Sequence, residues 1–228
     1  MSAAIEPILA AADLAKSFGR TPALRGVDIQ IAAGEVLAVM GPSGSGKSTL
    51  LHCLAGILRP DSGQIWFDGQ RIDSLGERQR SELRRHRFGF VFQFGQLVPE
   101  LCARENVMLP LLLAGRSRAE ARSAATALLA RLELDGLELR RPGELSGGQA
   151  QRVAVARALI AGPQVIFADE PTGSLDSLAG ERVMDLLVDC ARERDASVVL
   201  VTHEARVAAN ADREVIVRDG RVASLVTP

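Results

Sequence analysis

The stretch Gly41-Pro42-Ser43-Gly44-Ser45-Gly46-Lys47-Ser48 lies between an apolar run, Val36–Met40, and a helical run over residues 47–58. Its spacing fits G-x-x-x-x-G-K-[ST], and a strand before with a helix after is the setting that this pattern requires. The glycines permit backbone angles that turn successive N–H groups inward, which makes a concave anion nest. A helix starting near Lys47 adds its positive dipole end at the same spot. Residues Gly41 to Ser48, together with Thr49, therefore read as a phosphate cradle. In it Lys47 reaches the β- and γ-phosphates of a nucleotide, and the Ser48 hydroxyl ligates Mg²⁺.

Composition supports this emphasis on Lys47. The chain has 228 residues with 27 basic and 28 acidic side chains, and only two of the basic ones, Lys16 and Lys47, are lysine. A lysine kept among so many arginines marks a place where a compact point charge is needed and a broad guanidinium does not fit. A net charge of −1 gives no electrostatic footprint for nucleic acid, and seven Phe with one Trp leave few stacking platforms for single strands. The apolar run 107–114 is too short to span a bilayer and holds Pro110. Residues 1–12 lack the basic start of a secretory leader. Cys53, Cys102 and Cys190 are odd in number and far apart, as expected of reduced thiols in a cytosolic protein.

Working outward, residues 8–14 and 27–31 read as short strands, with Gly19 and Pro22 as breakers between them. Residues 33–35 form a turn, 64–67 a strand, 81–87 a basic helical stretch and Phe88–Phe92 a buried strand. A mostly helical insert begins near Gln96 and runs at least to Arg141; Ala121, Ala125, Leu128 and Leu132 recur in it at helical spacing. A helix over 149–161, a strand over 165–168, a helix around 183–191, a strand over 198–201 and a terminal hairpin (215–217 and 222–225) follow. Strands alternating with helices imply a mostly parallel sheet covered on both faces.

A phosphate loop alone leaves kinases, GTPases, helicases and transporters open. The run Val165-Ile166-Phe167-Ala168-Asp169-Glu170 adds an apolar strand ending in Asp169, a carboxylate fixed at the sheet's edge to hold the metal. Glu170, one residue on, is placed to act as general base on a water, a contribution of typically about 10²–10⁴-fold. Leu145-Ser146-Gly147-Gly148-Gln149 opens a further helix and so offers a second anion-binding terminus. Two such termini, distant in one chain, make sense if two copies face each other across the nucleotide.

The signature Leu145–Gln149 resembles that of the ATP-binding-cassette (ABC) ATPases, and the resemblance covers nearly the whole chain. The order of motifs is similar throughout: the phosphate loop, Gln93, the signature, Asp169-Glu170, Leu175-Asp176, then His203. The resemblance implies an α/β fold, a P-loop NTPase cassette with a RecA-like core, an antiparallel β subdomain and a helical subdomain. It implies one domain over residues 1–228, with the helical part at approximately 96–160. By the same resemblance Phe18 stacks on adenine, where tyrosine is usual. Gln93 touches Mg²⁺ or the water and couples the site to a membrane partner, and His203 contacts the γ-phosphate. Ser146, Gly147, Gly148, Gln149 and Asp176 reach the nucleotide of a second subunit, so the expected assembly is a homodimer around two ATP. Gly173-Ser174 departs from the more usual Ser-Ala before Leu175-Asp176. His52 and His86 match no motif.

Residues 92–101 and 105–110, with Asp169-Glu170-Pro171-Thr172-Gly173, are similar to the macrolide-exporter and lipoprotein-releasing branch. That branch implies a separate transmembrane permease, attachment at the cytoplasmic face of the cell membrane, and export or extraction of lipid, peptide or drug. Leu97, Val98 and Leu101 then form part of a groove for the permease, or else core of the helical insert. The five arginines of residues 78–87 read as a solvated face, or as a contact to anionic headgroups or the permease. No further domain is expected after the terminal hairpin. Two alternatives stay open: an ATPase that signals through its membrane partner without transport, and a soluble cassette ATPase.

Overall fold

The computed structural model describes residues 7–226. The leader reading of residues 1–12 falls partly on residues 1–6, and the single-domain reading of 1–228 also takes in 227 and 228; these residues lie outside the described ones. Among the described residues no helix is long and apolar enough to cross a membrane.

Among the described residues, ten strands form two sheets. Strands β1 (Leu9–Phe18), β2 (Thr21–Ile31), β4 (Ser62–Phe67) and β5 (Gln70–Arg71) make an antiparallel sheet in the order β2-β1-β4-β5. The central sheet has the order β10-β9-β3-β8-β7-β6, from β3 (Val36–Met40), β6 (Phe88–Phe92), β7 (Val165–Asp169), β8 (Ser197–Val201), β9 (Arg213–Arg218) and β10 (Arg221–Val226). Its pairings are parallel except β9 with β10. The α-helices among the described residues are α1 (Lys47–Leu54), α2 (Glu77–Arg87), α3 (Ala103–Leu113), α4 (Arg118–Arg131), α5 (Gly147–Leu159), α6 (Ser177–Arg192) and α7 (Ala205–Ala208).

Strand alternation sorts the central sheet between two cores. Val36, Ile166, Ala168, Val198 and Leu200 face a core built with α3, α4, α5 and α6. Their neighbours Leu37, Phe167, Val199 and Val201 face the other core, with α1 and the antiparallel sheet. The scarce aromatics concentrate at that second junction. Phe88 stands edge-on to Phe67 at 4.9 Å and to Phe167 at 5.1 Å, which ties β4 to β6 and β7. Such pairs add about 0.5–1.5 kcal/mol each beyond their burial.

Several boundaries differ from those read in the sequence. Helix α1 stops at Leu54, not residue 58, because Gly56 takes φ +64° and turns the chain. The first two strands are longer than expected and form one hairpin around Gly19 (φ +60°). Pro22, read as a breaker, pairs within β2, which is an edge strand where a missing N–H is tolerated. The helical insert is helical only over α3 and α4, and α2 begins at Glu77, earlier than read. Leu97 packs on the helical core while Val98 is exposed. A further apolar groove lies between α2, β6 and α3, lined by Ile57, Phe90, Phe92, Leu109 and Leu113 with Arg84 and Arg85 at its side; Leu97, Val98 and Leu101 do not line it.

Candidate active site

Of the five parallel strands of the central sheet among the described residues, β6, β7, β8 and β3 end side by side at one edge, and their register sets the last residues in a row. Phe92 pairs with Asp169, Asp169 with Val201, and Val201 with Val39. The residues that follow, namely Gln93, Glu170, Thr202-His203 and the Gly41 loop, therefore emerge side by side at the carboxyl edge. Open α/β sheets bind their ligands at that edge.

The loop from Gly41 to Gly46 has the curvature that its glycines allow. Gly41 (φ +144°) and Gly46 (φ +106°) lie in the left-handed half of backbone space, and a Cβ on them would collide with the carbonyls of Val217 and Ala23. Lys47 is 7 % exposed, and its Nζ donates to the carbonyls of Gly41 (2.8 Å) and Pro42 (2.9 Å). Among the described residues it has no carboxylate partner. A buried ammonium held only by neutral acceptors leaves an uncompensated positive charge at the loop, as an anionic ligand requires. The buried Ser45 hydroxyl, in the same loop, has no hydrogen-bond partner.

Ser48, in the first turn of α1, donates its hydroxyl to Asp169 Oδ1 at 3.1 Å. A hydroxyl and a carboxylate beside a phosphate cradle suit Mg²⁺, which takes oxygen ligands and typically one or two carboxylates plus substrate phosphates. Glu170 follows in the left-handed region (φ +49°), a conformation that costs a non-glycine residue about 1–3 kcal/mol and concentrates at functional sites. Its N–H donates to Val201 O, which holds it to β8. One carboxylate oxygen, Oε1, lies 2.9 Å from His203 Nδ1; the other, Oε2, is buried without a partner. Of the three buried side-chain polar atoms without partners among the described residues, two thus belong to this site.

Gln93 follows β6, and its carbonyl accepts from Ser174 Oγ at 2.8 Å. Its amide lies over Gly173, where a Cβ would stand 2.9 Å from Gln93 Nε2. The departure at Gly173 therefore has a local reason: it leaves room for Gln93. Phe18 ends β1 and is 53 % exposed, with Lys16 Nζ 6.0 Å from its ring centre and ion-paired to Asp61.

The signature stands apart from the phosphate loop. Ser146 caps α5 by a reciprocal pair: Gln149 N–H donates to Ser146 Oγ, and Ser146 N–H donates to Gln149 Oε1. Asp176 caps α6 by accepting from Ala179 N–H at 3.0 Å. Both caps line one hollow with Glu133, Arg152 and Arg182, and no residue from Gly41 to Thr49 lines it. Within one chain, then, the structure brings together Lys47, Ser48, Asp169, Glu170, His203 and Gln93, and sets residues 146–149 in a separate hollow. His52 lies in α1 and His86 in α2. Two side chains that the sequence reading passed over, Gln151 and Arg157, reach from α5 to the chain flanking Gln93.

Comparison with known proteins follows the same lines. The profile of the ABC transporter family matches residues 24–173. The lipoprotein-releasing system ATP-binding protein LolD of Syntrophotalea carbinolica is 50 % identical over 214 residues, covering 92 % of this chain and 94 % of its own. The macrolide export ATP-binding/permease protein MacB of Marinobacter nauticus is 44 % identical over 220 residues, covering 95 % of this chain and 34 % of that protein. Among solved structures, the dimeric post-hydrolysis state of the ATP-binding cassette MJ0796, bound to ADP and Pi, has a TM-score of 0.89 at 38 % identity and covers 96 % of this chain. A phosphate loop, an acidic strand end and a signature helix on this scaffold, with likeness over most of its length, have one reading: the chain belongs to the ABC transporter family and is an ATP-binding cassette of it.

Proposed function

We propose that this chain hydrolyses ATP as one half of a homodimer and powers a separate transmembrane permease from the cytoplasmic face of the membrane. The observation that carries the reading is the cluster at the sheet edge: Ser48 on Asp169, and Glu170 bonded to His203 through one oxygen with the other free. The phosphate loop and Lys47 bind the β- and γ-phosphates, and Phe18 stacks on adenine. Ser48, Asp169 and Gln93 hold Mg²⁺, which neutralises phosphate charge when bound. Glu170 Oε2 takes a proton from water as its oxygen attacks the γ-phosphorus; the bond from that phosphorus to the bridging oxygen breaks, which leaves ADP and inorganic phosphate. His203 holds Oε1 and so orients the carboxylate. Residues 146–149 of the second copy cover the γ-phosphate with a helix N-terminus, while Asp176 lines the same interface.

The likeness to a LolD and to the ATP-binding third of a MacB supports a permease partner and the export or extraction of lipid, peptide or drug. The dimeric MJ0796 cassette supports the paired arrangement. Calorimetric titration with ATP tests the site: the wild type binds, and Lys47→Ala does not. Equal affinity in the two would contradict the phosphate cradle. Affinity capture from membranes tests the partner, and recovery of no polytopic membrane protein would contradict it.

A further inference from the structure

Helix α5 carries the signature at its start and, further along, a cation in an unusual setting. Arg157 is partly buried and forms no ion pair among the described residues. Its guanidinium donates through Nη2 to Gly95 O and through Nη1 to Gln96 O, both at 2.7 Å. Gly95 (φ +65°) and Gln96 (φ +46°) are consecutive left-handed residues, and this local shape presents both carbonyls to one fork. Ala150, Ala154 and Arg157 recur at i, i+4 and i+7, so one face of α5 receives the loop. A Cβ on Gly95 would lie 3.3 Å from Gln151 Oε1 and 3.6 Å from Ala154 Cβ, so the loop approaches α5 as closely as a glycine allows. Gln151, 2 % exposed, donates its Nε2 to Phe92 O at 2.9 Å. Gln93 is thereby bracketed: the residue before it is tied to Gln151, and the residues after it to Arg157.

We infer that Gln151 and Arg157 are positioning residues that latch the Gln93 loop to the signature helix, so that Gln93 and residues 146–149 move as one body. A half-buried arginine paired only with carbonyls is costly, and its partial burial pushes its guanidinium below the usual range. An apolar side chain would fill the space more cheaply, but it could not read two carbonyls at once. Movement of α5 toward a nucleotide held by a second copy then carries Gln93 with it. The inference rests on the proposed role of Gln93 at the reacting phosphate.

The test uses the full chain and three measurements: hydrogen exchange at the Gly95 and Gln96 amides, kcat for ATP, and ATP affinity. Arg157→Met keeps length and loses the fork. It should speed exchange at both amides and lower kcat by ~10²-fold, the scale of a misplacement near 1 Å, with ATP affinity unchanged because the Lys47 cradle is untouched. Arg157→Lys should recover part of kcat, since an ammonium reaches one carbonyl. Gly95→Ala, which leaves Arg157 in place, should reproduce the Arg157→Met result from the loop side. Wild-type exchange and kcat in Arg157→Met would overturn the latch. A parallel loss of Tm, ATP affinity and kcat in both Arg157→Met and Gly95→Ala would also overturn it, because that pattern marks a general packing role. Gln93→Ala separates the two claims: wild-type kcat there contradicts the role of Gln93, while the exchange rates still decide the latch.

Discussion

Glu170→Gln removes one proton-accepting oxygen and little else. Glu170 Oε1 keeps its neighbour, because a glutamine oxygen can still accept from His203 Nδ1 at the present 2.9 Å. The other position changes from a carboxylate oxygen to an amide NH₂, and since Oε2 has no partner, no hydrogen bond is lost there. Shape, the left-handed backbone and the contacts of Ser48 and Lys47 are retained. Losing a general base lowers the rate by about 10²–10⁴-fold, which is about 2.7–5.5 kcal/mol on the barrier. Stability should change by less than about 1 kcal/mol, or a Tm shift within about 2–4 °C for a chain of this size. The assay is steady-state phosphate release with ATP affinity measured in parallel: kcat falls by the stated factor, affinity stays, and a dimer accumulates with ATP. A kcat within a factor of two of wild type would refute the assignment of Glu170 as base.

Two further substitutions or reagents probe the surroundings of the site. Gly173→Ala places a Cβ 2.9 Å from Gln93 Nε2, the free end of a flexible side chain, so the protein should keep its Tm while kcat falls as Gln93 is displaced; unchanged kcat would show that Gln93 has room to spare. Cys53 is fully buried, and burial pushes its thiol up to about 12, so iodoacetamide at pH 8 should leave it unmodified in the native protein and modify it after unfolding; equal labelling in both states would contradict its packing in α1.

The phosphate loop, Asp169, Glu170 and the apolar strands of the parallel sheet were legible because each is coded locally, by glycine spacing or by an apolar run with a charged end; the order of those strands in the sheet was not, because pairing is a long-range property. The residues that hold the site in place are coded differently. Arg157 meets backbone carbonyls of residues 95 and 96, which carry no side-chain signature, and Gln151 does the same at Phe92. Asn106 is another case: it is fully buried and bonds the backbone of Val98, Leu101 and Cys102, yet in sequence it is one more polar residue after Arg104 and Glu105 in the first turn of α3. Boundaries slipped where a local rule met a tertiary context. Pro22 broke a strand on paper, but an edge position lets it stay. Apolar residues continued past Gly56, but a left-handed glycine ended α1. Gln93 could be placed after its strand, but not the reason for Gly173, which appears only when the two loops meet.

The central claim is that each ATP is held between the phosphate loop of one copy and the signature of another, and complementation between two variants measures it most directly. Gly148→Asp sets a carboxylate at the N-terminus of α5, where it repels the γ-phosphate of the partner's nucleotide. A Cβ at this position lies 3.3 Å from Ala179 Cβ, so Gly148→Ala serves as the control for crowding without charge. Lys47→Ala disables the cradle of its own copy. Mixed together, the two variants form a heterodimer with one intact composite site and one doubly damaged site. ATP-dependent dimerisation, read by analytical ultracentrifugation, should be absent for Gly148→Asp alone and for Lys47→Ala alone, retained by Gly148→Ala, and restored in the mixture. Wild-type ATP-dependent dimerisation and hydrolysis by Gly148→Asp alone would contradict the composite site.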